Sequence, residues 1–193
     1  MALGSIAPHI LPPPGLAKTS WPLPLVIGKK IIPLKGIGVV CNAVSRTASP
    51  TWKDWFSTAP LSANDLANIH GVQLFTRSKD QGWASDFNAG SWSWFNVVLL
   101  PKYGERLDVE EHSWQSHTNG PPASPMQRRA GAIFGPNHEI WQLAQIGDRI
   151  GVRACARFGG WRNIATMALL IVQEYFIPSF IPQWGSHTPP AHC

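Results

Sequence analysis

Residues 148–158 read DRIGVRACARF and carry the clearest secondary-structure pattern in the chain. Apolar or small side chains alternate there with mostly polar ones. Because successive side chains of a β-strand point to opposite faces, this alternation predicts a strand. One face offers a core strip, and the opposite face carries three arginines: Ile150, Val152, Ala154, Ala156 and Phe158 against Arg149, Gly151, Arg153, Cys155 and Arg157.

The segment after this strand holds a turn and a longer apolar run. Gly159 and Gly160 predict the turn. Residues 164–176 (IATMALLIVQEYF) are apolar at both parities, which is typical of a strand buried on both faces. A buried helix is the alternative, because Ala, Met and Leu are good helix formers. Tyr175 and Phe176 favour the strand.

Further short strands are predicted towards the N-terminus. Residues 25–44 indicate one or two strands with a bend near Pro33. Three more strands are predicted after them: an alternating one at residues 71–77, an apolar one at 91–100 and a polar, exposed one at 112–116. About eight short strands without a βαβ rhythm predict an all-β protein, an antiparallel two-sheet β-sandwich of jelly-roll type.

The connections are predicted from turn-forming residues. Residues 46–70 are loop-like with short helical turns, one of them capped by Ser62. Trp52 and Trp55 would share a face if their segment is helical. Residues 118–126 (TNGPPASPM) form the longest loop signal.

Three parts are predicted along the chain of 193 residues. Residues 1–24 contain six prolines, which favour extended conformations and donate no backbone hydrogen bonds, so they form a Pro-rich N-terminal arm. The β-sandwich domain covers residues 25–180, and residues 181–193 form a C-terminal tail.

Composition limits the partners. The net charge is +5, but the 16 Lys and Arg residues are scattered, so a nucleic-acid partner is unlikely and a solvated basic surface is favoured. No apolar run is long enough to span a membrane. Three widely spaced cysteines do not form a disulfide framework, and no secretory signal is visible; a cytoplasmic location is the expectation.

Three segments together resemble a known group: residues 77–83 (RSKDQGW), 91–95 (SWSWF) and 147–163 (GDRIGVRACARFGGWRN). They are similar to the DQGW, SWTWF-like and GDRIxVxAxAxFxGWxN boxes of a largely uncharacterised fungal family. That family resembles galactose-binding jelly rolls, a shape shared with sugar-reading F-box adaptor domains and carbohydrate-binding modules. The resemblance implies the fold and assigns no catalytic residue. Residues 158–161 (FGGW) depart from the family's Phe-Pro-Gly-Trp.

Candidate ligand-binding residues come from the excess of tryptophan, ten in all, beside short polar side chains. In the DQGW box, Asp80 and Gln81 are predicted to bond ligand hydroxyls while Trp83 stacks on the ligand. The alternative is a structural corner in which Asp80 caps backbone amides and Trp83 fills the sandwich. Asn88 and Asn163 are predicted to orient the same ligand.

The other aromatic candidates have structural alternatives as well. Trp92 and Trp94 lie two residues apart, so they share one face of their strand and form either a ligand platform or a part of the core. The side chains that point into the core from that strand are either those on the face of Trp92 and Trp94 or those on the opposite face, which includes Phe95. Trp161 follows the glycine turn as a further candidate.

The arginine face predicts a second binding mode. Arginine recognises carboxylates, phosphates and aromatic rings, so Arg153 and Arg157, with Arg149, are candidates for ligand or partner binding. Like charges on one face repel each other mildly unless a ligand or acids within the chain compensate them, and the candidate acids are Asp148, Glu139 and Glu174.

Catalysis has little support in the sequence. No metal-binding spacing, nucleophile elbow or phosphate loop is present, and no cofactor is predicted. Cys155 would have a lowered pKa only if it were exposed on the arginine face. The sequence therefore favours a non-catalytic, lectin-like protein that binds a carbohydrate or similar hydroxylated ligand. The alternatives are a protein-interaction or self-associating module that uses the arginine face, and a small enzyme of fungal secondary metabolism acting on an apolar cyclic substrate.

Overall fold

The structure is a computed structural model that describes residues 26–33, 38–42, 49–81, 90–102, 112–121 and 124–176, with the backbone alone for 26–33. These residues belong to one compact unit, Val26–Phe176. The predicted N-terminal arm and C-terminal tail lie outside the described residues, as do Trp83 and Asn88.

The described residues form nine strands and two short helices. In chain order they are β1 (Val26–Pro33), β2 (Val39–Asn42), β3 (Thr51–Ser57), α1 (Ala63–Asn68), β4 (Ile69–Lys79), β5 (Ser93–Leu100), β6 (Ser113–Thr118), β7 (Gln127–Phe134), α2 (Glu139–Leu143), β8 (Arg149–Ala156) and β9 (Arg162–Phe176).

The strands form two antiparallel sheets with jelly-roll topology. One sheet has the order β1-β9-β4-β7, with β2 pairing the first part of β9, and is called the five-stranded sheet; the other, the four-stranded sheet, has the order β3-β8-β5-β6. From β2 onward the chain changes sheet at every connection except β5–β6. This crossing pattern is the double Greek key of a jelly roll, so the predicted fold class is confirmed.

The core between the sheets is built from alternate strand residues. Ile150, Val152, Ala154 and Ala156 of β8 are at most 1% exposed, as the alternation predicts. In β5 the inward set is that of Phe95, while Trp94 points to the outer face. Residues 164–176 form a strand, not a helix.

Two strands differ from the sequence predictions. Residues 51–57 form β3, so Trp52 and Trp55 do not share a helical face. Strand β7 was not predicted because its residues are mostly exposed at the edge of the five-stranded sheet, where no hydrophobic pattern is required. The predicted cap is confirmed: Ser62 begins α1 with a capping box that includes Asp65.

A polar cluster lies beside the core and is centred on His117. Its Nε2 atom is 2.8 Å from the hydroxyl of Thr76, and its Nδ1 atom is 3.0 Å from the hydroxyl of Ser116. The ring stacks on Phe95 at 5.1 Å. Burial, with a smaller contribution from the charge of Arg129, lowers the pKa of His117 to about 4. The side chain is therefore neutral at physiological pH.

Candidate functional site

The jelly-roll topology brings the three sequence boxes to one end of the sandwich. The end of β4, the start of β5, the end of β6, the start of β7 and the turn between β8 and β9 lie there, because these strands run antiparallel in adjacent positions. The backbone N–H of Arg157 donates to the carbonyl of Trp92 (2.9 Å), and that of Arg162 donates to Oε1 of Gln81 (3.2 Å). Gln81 thus helps to join two of the boxes.

Asn163 lies at the centre of this end and is fully buried. Its Nδ2 donates to the carbonyls of Trp94 (2.6 Å) and Cys155 (3.2 Å), and its Oδ1 accepts from Nδ2 of Asn119 (3.0 Å). Asn163 belongs to β9, whereas Trp94 and Cys155 belong to the four-stranded sheet. The side chain therefore links the two sheets, and Asp80, 1% exposed, is enclosed in the same way.

The aromatic candidates at this end pack on one another. Trp92 meets Phe158 edge-to-face at 4.9 Å, and the guanidinium of Arg157 lies 5.2 Å from the Phe158 ring. Phe158 has a φ of 63°, which is unusual for a residue with a side chain. Trp161 packs against the core. These contacts provide a structural role for each ring at the end of the sandwich.

A separate cleft opens on the outer face of the four-stranded sheet. Its volume is about 130 Å³, and its lining consists of Pro50, Trp52, Trp94, Asn96, Ser113, Arg153 and Cys155. Strand register determines this set, because Trp52 and Trp94 both pair with Cys155, from opposite sides of β8. The next outward-facing row is Asp54, Arg153 and Asn96.

Arg153 forms the floor of the cleft and is not an exposed member of an arginine ladder. It is 7% exposed, its Nε donates to Oδ1 of Asp54 at 2.5 Å, and its guanidinium lies 5.8 Å from the Trp52 ring. Its ionic partner is Asp54, which was not among the acids named as candidates to compensate the arginine face. Among the described residues, the two terminal nitrogens of Arg153 have no hydrogen-bond acceptor.

The opposite wall of the cleft is polar. Asn96 donates through Nδ2 to the hydroxyl of Ser113 at 2.7 Å. Its Oδ1 has no hydrogen-bond donor among the described residues, although the atom is shielded from solvent. An amide oxygen has two lone pairs, so this atom is an unused acceptor at the wall of the cleft.

Cys155 lies between the two tryptophans and is not a reactive thiol. Burial is the main cause that raises its pKa to about 12. The thiol is therefore protonated at neutral pH, and the condition for a lowered pKa, exposure on the arginine face, is not met. Its small side chain leaves space between the aromatic walls.

The sequence-predicted site residues thus fall into two places. Trp94 and Arg153 line the cleft, whereas Asp80, Gln81, Trp92, Arg157, Trp161 and Asn163 lie at the end of the sandwich. Sequence reasoning missed Trp52 and Asp54. Residues 51–55 (TWKDW) do not alternate between apolar and polar side chains, so no local pattern marks them as a strand.

The described residues contain no group of three or more His, Cys, Asp or Glu placed to hold a metal ion. The helices in the described part of the chain are too short to cross a membrane. Comparison of the chain with protein-family models, curated proteins and solved structures finds no match.

Proposed function

We propose that this protein is a non-catalytic, lectin-like β-sandwich that binds a carbohydrate or similar hydroxylated ligand in the cleft of the four-stranded sheet. The observation that carries the proposal is the placement of Trp52 and Trp94 on either side of Cys155 in one register row. Apolar walls with a few convergent polar groups are typical of small-molecule sites.

The spacing of the two tryptophans supports a flat ligand. Two strand spacings of about 4.8 Å place their backbones roughly 10 Å apart. A ring in van der Waals contact with both aromatic faces needs about 7–8 Å between them. Trp52 is 42% exposed, so a ligand can reach its ring. A pyranose ring has an apolar C–H face that suits tryptophan and hydroxyls that reach its rim.

The floor of the cleft supports recognition of hydroxyl groups. Arg153 retains N–H donors, and the Asp54 side chain is 62% exposed and offers carboxylate acceptors. Because these two charges neutralise each other, the pair favours an uncharged ligand with adjacent hydroxyls over an anion. Asn96 and Ser113 add a donor and acceptor on the other wall.

The size of the cleft indicates a small recognition element. At about 130 Å³ it is below the roughly 300–1,000 Å³ of drug-sized pockets, so it accommodates one ring of a longer ligand. One stacked ring and a few hydrogen bonds correspond to a Kd of about 0.1–1 mM, or roughly −4 to −5.5 kcal/mol.

The two alternative functions have less support. Docking of a protein through the arginine face would depend on Arg149 and Arg157, because Arg153 is bonded internally. Catalysis by Cys155 would need a thiolate, which its raised pKa disfavours.

The test is a titration of the full chain with a panel of neutral mono- and disaccharides, followed by tryptophan fluorescence and calorimetry. Trp52→Ala should abolish binding of the selected sugar, whereas Trp52→Phe should retain part of it. Asp54→Asn should weaken binding by about tenfold or more, since a hydrogen bond to a charged group contributes about 1.5–3 kcal/mol. Leu143→Ala is the control: that side chain is similarly exposed, at 40%, and lies on α2, outside the cleft.

Two results would contradict this assignment. One is a panel in which no sugar changes the fluorescence or the calorimetric signal at ten times the expected Kd. The other is sugar binding that Trp52→Ala leaves intact and Trp92→Phe removes, which would move the site to the end of the sandwich.

A further inference from the structure

The outer face of the five-stranded sheet carries a larger groove, distinct from the cleft. Its volume is about 540 Å³, and apolar side chains of β4 and β9 form its floor: Phe75, Met167, Leu169 and Ile171. This volume lies within the roughly 300–1,000 Å³ of small-molecule pockets. The outward positions of a sheet that faces water are normally polar, because burial of apolar groups requires a second layer. An apolar floor here is therefore suited to an apolar ligand.

Arginines surround one end of this groove. Arg128 and Arg129 line it, and Arg77 pairs directly with Arg128 across the β4–β7 ladder. Like charges directly opposite each other on a sheet are destabilising. Among the described residues, neither Arg77 nor Arg128 forms an ion pair, so nothing in that part of the chain offsets their repulsion.

Arg129 points to the opposite face of β7 from Arg128, because it pairs with Thr76, whose side chain is directed at His117 inside the sandwich. The Nη2 atom of Arg129 donates to Oε1 of Gln127 at 2.7 Å, whereas its enclosed Nε has no hydrogen-bond acceptor among the described residues. A carboxylate accepts two or more such hydrogen bonds at once and suits the planar guanidinium group. An anion at this end would offset the repulsion between Arg77 and Arg128.

We propose that the groove binds a medium-chain aliphatic carboxylate, with its chain along β9 and its carboxylate at Arg77 and Arg128. Met167 and Ile171 lie four residues apart, so the floor extends about 13 Å along the strand. This length matches an extended medium-length chain. A second copy of the chain is a poorer occupant, because a symmetric contact would bring the unpaired arginines of two molecules, each of net charge +5, towards one interface.

The test is calorimetric titration of the full chain with decanoate at neutral pH, where the carboxylate is ionised. Decyltrimethylammonium is the chain-matched cation. Decanoate should bind one molecule per chain and the cation should not. Arg128→Gln should weaken decanoate binding by about tenfold or more, as expected for the loss of a charge-assisted hydrogen bond. Met167→Gln, similar in size, should weaken it by about three- to tenfold through lost apolar contact.

Arg149→Gln is the control for charge, because Arg149 is an exposed arginine on the four-stranded sheet. It should leave decanoate binding unchanged. Absence of decanoate binding, equal affinity for decanoate and the cation, or an equal loss in Arg149→Gln and Arg128→Gln would each overturn the proposal. Amide chemical-shift changes confined to β4, β7 and β9 would support the location, and changes confined to β3, β5 and β8 would refute it.

Discussion

Substitution of Asn163 separates a structural role from a ligand-binding role at the end of the sandwich. The side chain is fully buried and makes three hydrogen bonds that connect β9 to the four-stranded sheet and to Asn119. Asn163→Ala removes all three and leaves the amide of Asn119 with one partner fewer. At about 1 kcal/mol for each bond, plus the cost of buried groups left unpaired, the loss in unfolding free energy is about 3–5 kcal/mol.

The near-isosteric Asn163→Asp isolates the donor. It keeps the volume but removes the N–H groups that face the carbonyls of Trp94 and Cys155, so it should destabilise the fold at least as much as alanine does. Urea unfolding followed by tryptophan fluorescence measures this directly. For a domain of this size, a loss of 3–5 kcal/mol corresponds to a fall in Tm of about 6–20 °C.

The outcome also bears on the ligand. If the link between the sheets is the role of Asn163, the folded fraction of each variant should bind the selected sugar with the affinity of the parent chain. A stability loss below about 1 kcal/mol would refute the network argument. Unchanged stability with lost sugar binding would assign Asn163 to the ligand.

Two further predictions concern titratable groups. His117 has a pKa of about 4 in the folded chain against an ordinary value of 6.5, so the unfolded chain binds more protons in that interval. The free energy of unfolding is therefore full above about pH 6.5 and falls by about 3 kcal/mol as the pH is lowered to 4. Urea midpoints measured across this range should fall with pH, and His117→Gln should make them less dependent on pH. An equal pH dependence in the variant would contradict the assignment of the titration to His117. Burial raises the pKa of Cys155 to about 12, so this thiol should resist iodoacetamide at neutral pH until denaturant is added. Peptide mass spectrometry measures the labelling. Labelling of the native chain at the rate of a free thiol would refute the burial of Cys155.

The sequence was sufficient for the elements whose faces differ strongly in polarity. The alternation in residues 148–158 predicts β8 and its core strip because one side of that strand meets the core and the other does not. The glycine turn, the Ser62 cap and the jelly-roll class followed from local conformational preferences and strand number. An edge strand such as β7 has little buried surface, so its sequence holds no such pattern.

The candidate site was only partly predictable. Trp94 and Arg153 were identified, but as members of two different sites. Trp52 and Asp54 were not identified, because residues 51–57 have no apolar face that distinguishes a strand from a loop.

The sequence by itself determined the strands that have one buried face. Their apolar side chains recur every two residues, so the pattern can be read from neighbouring residues alone. Only the tertiary structure decided which strands are neighbours. That choice places Asp54 beside Arg153, 99 residues away, and gives Trp52 and Trp94 a common floor. Buried charge requires a partner, and the partner is set by register between distant strands, which no local pattern records.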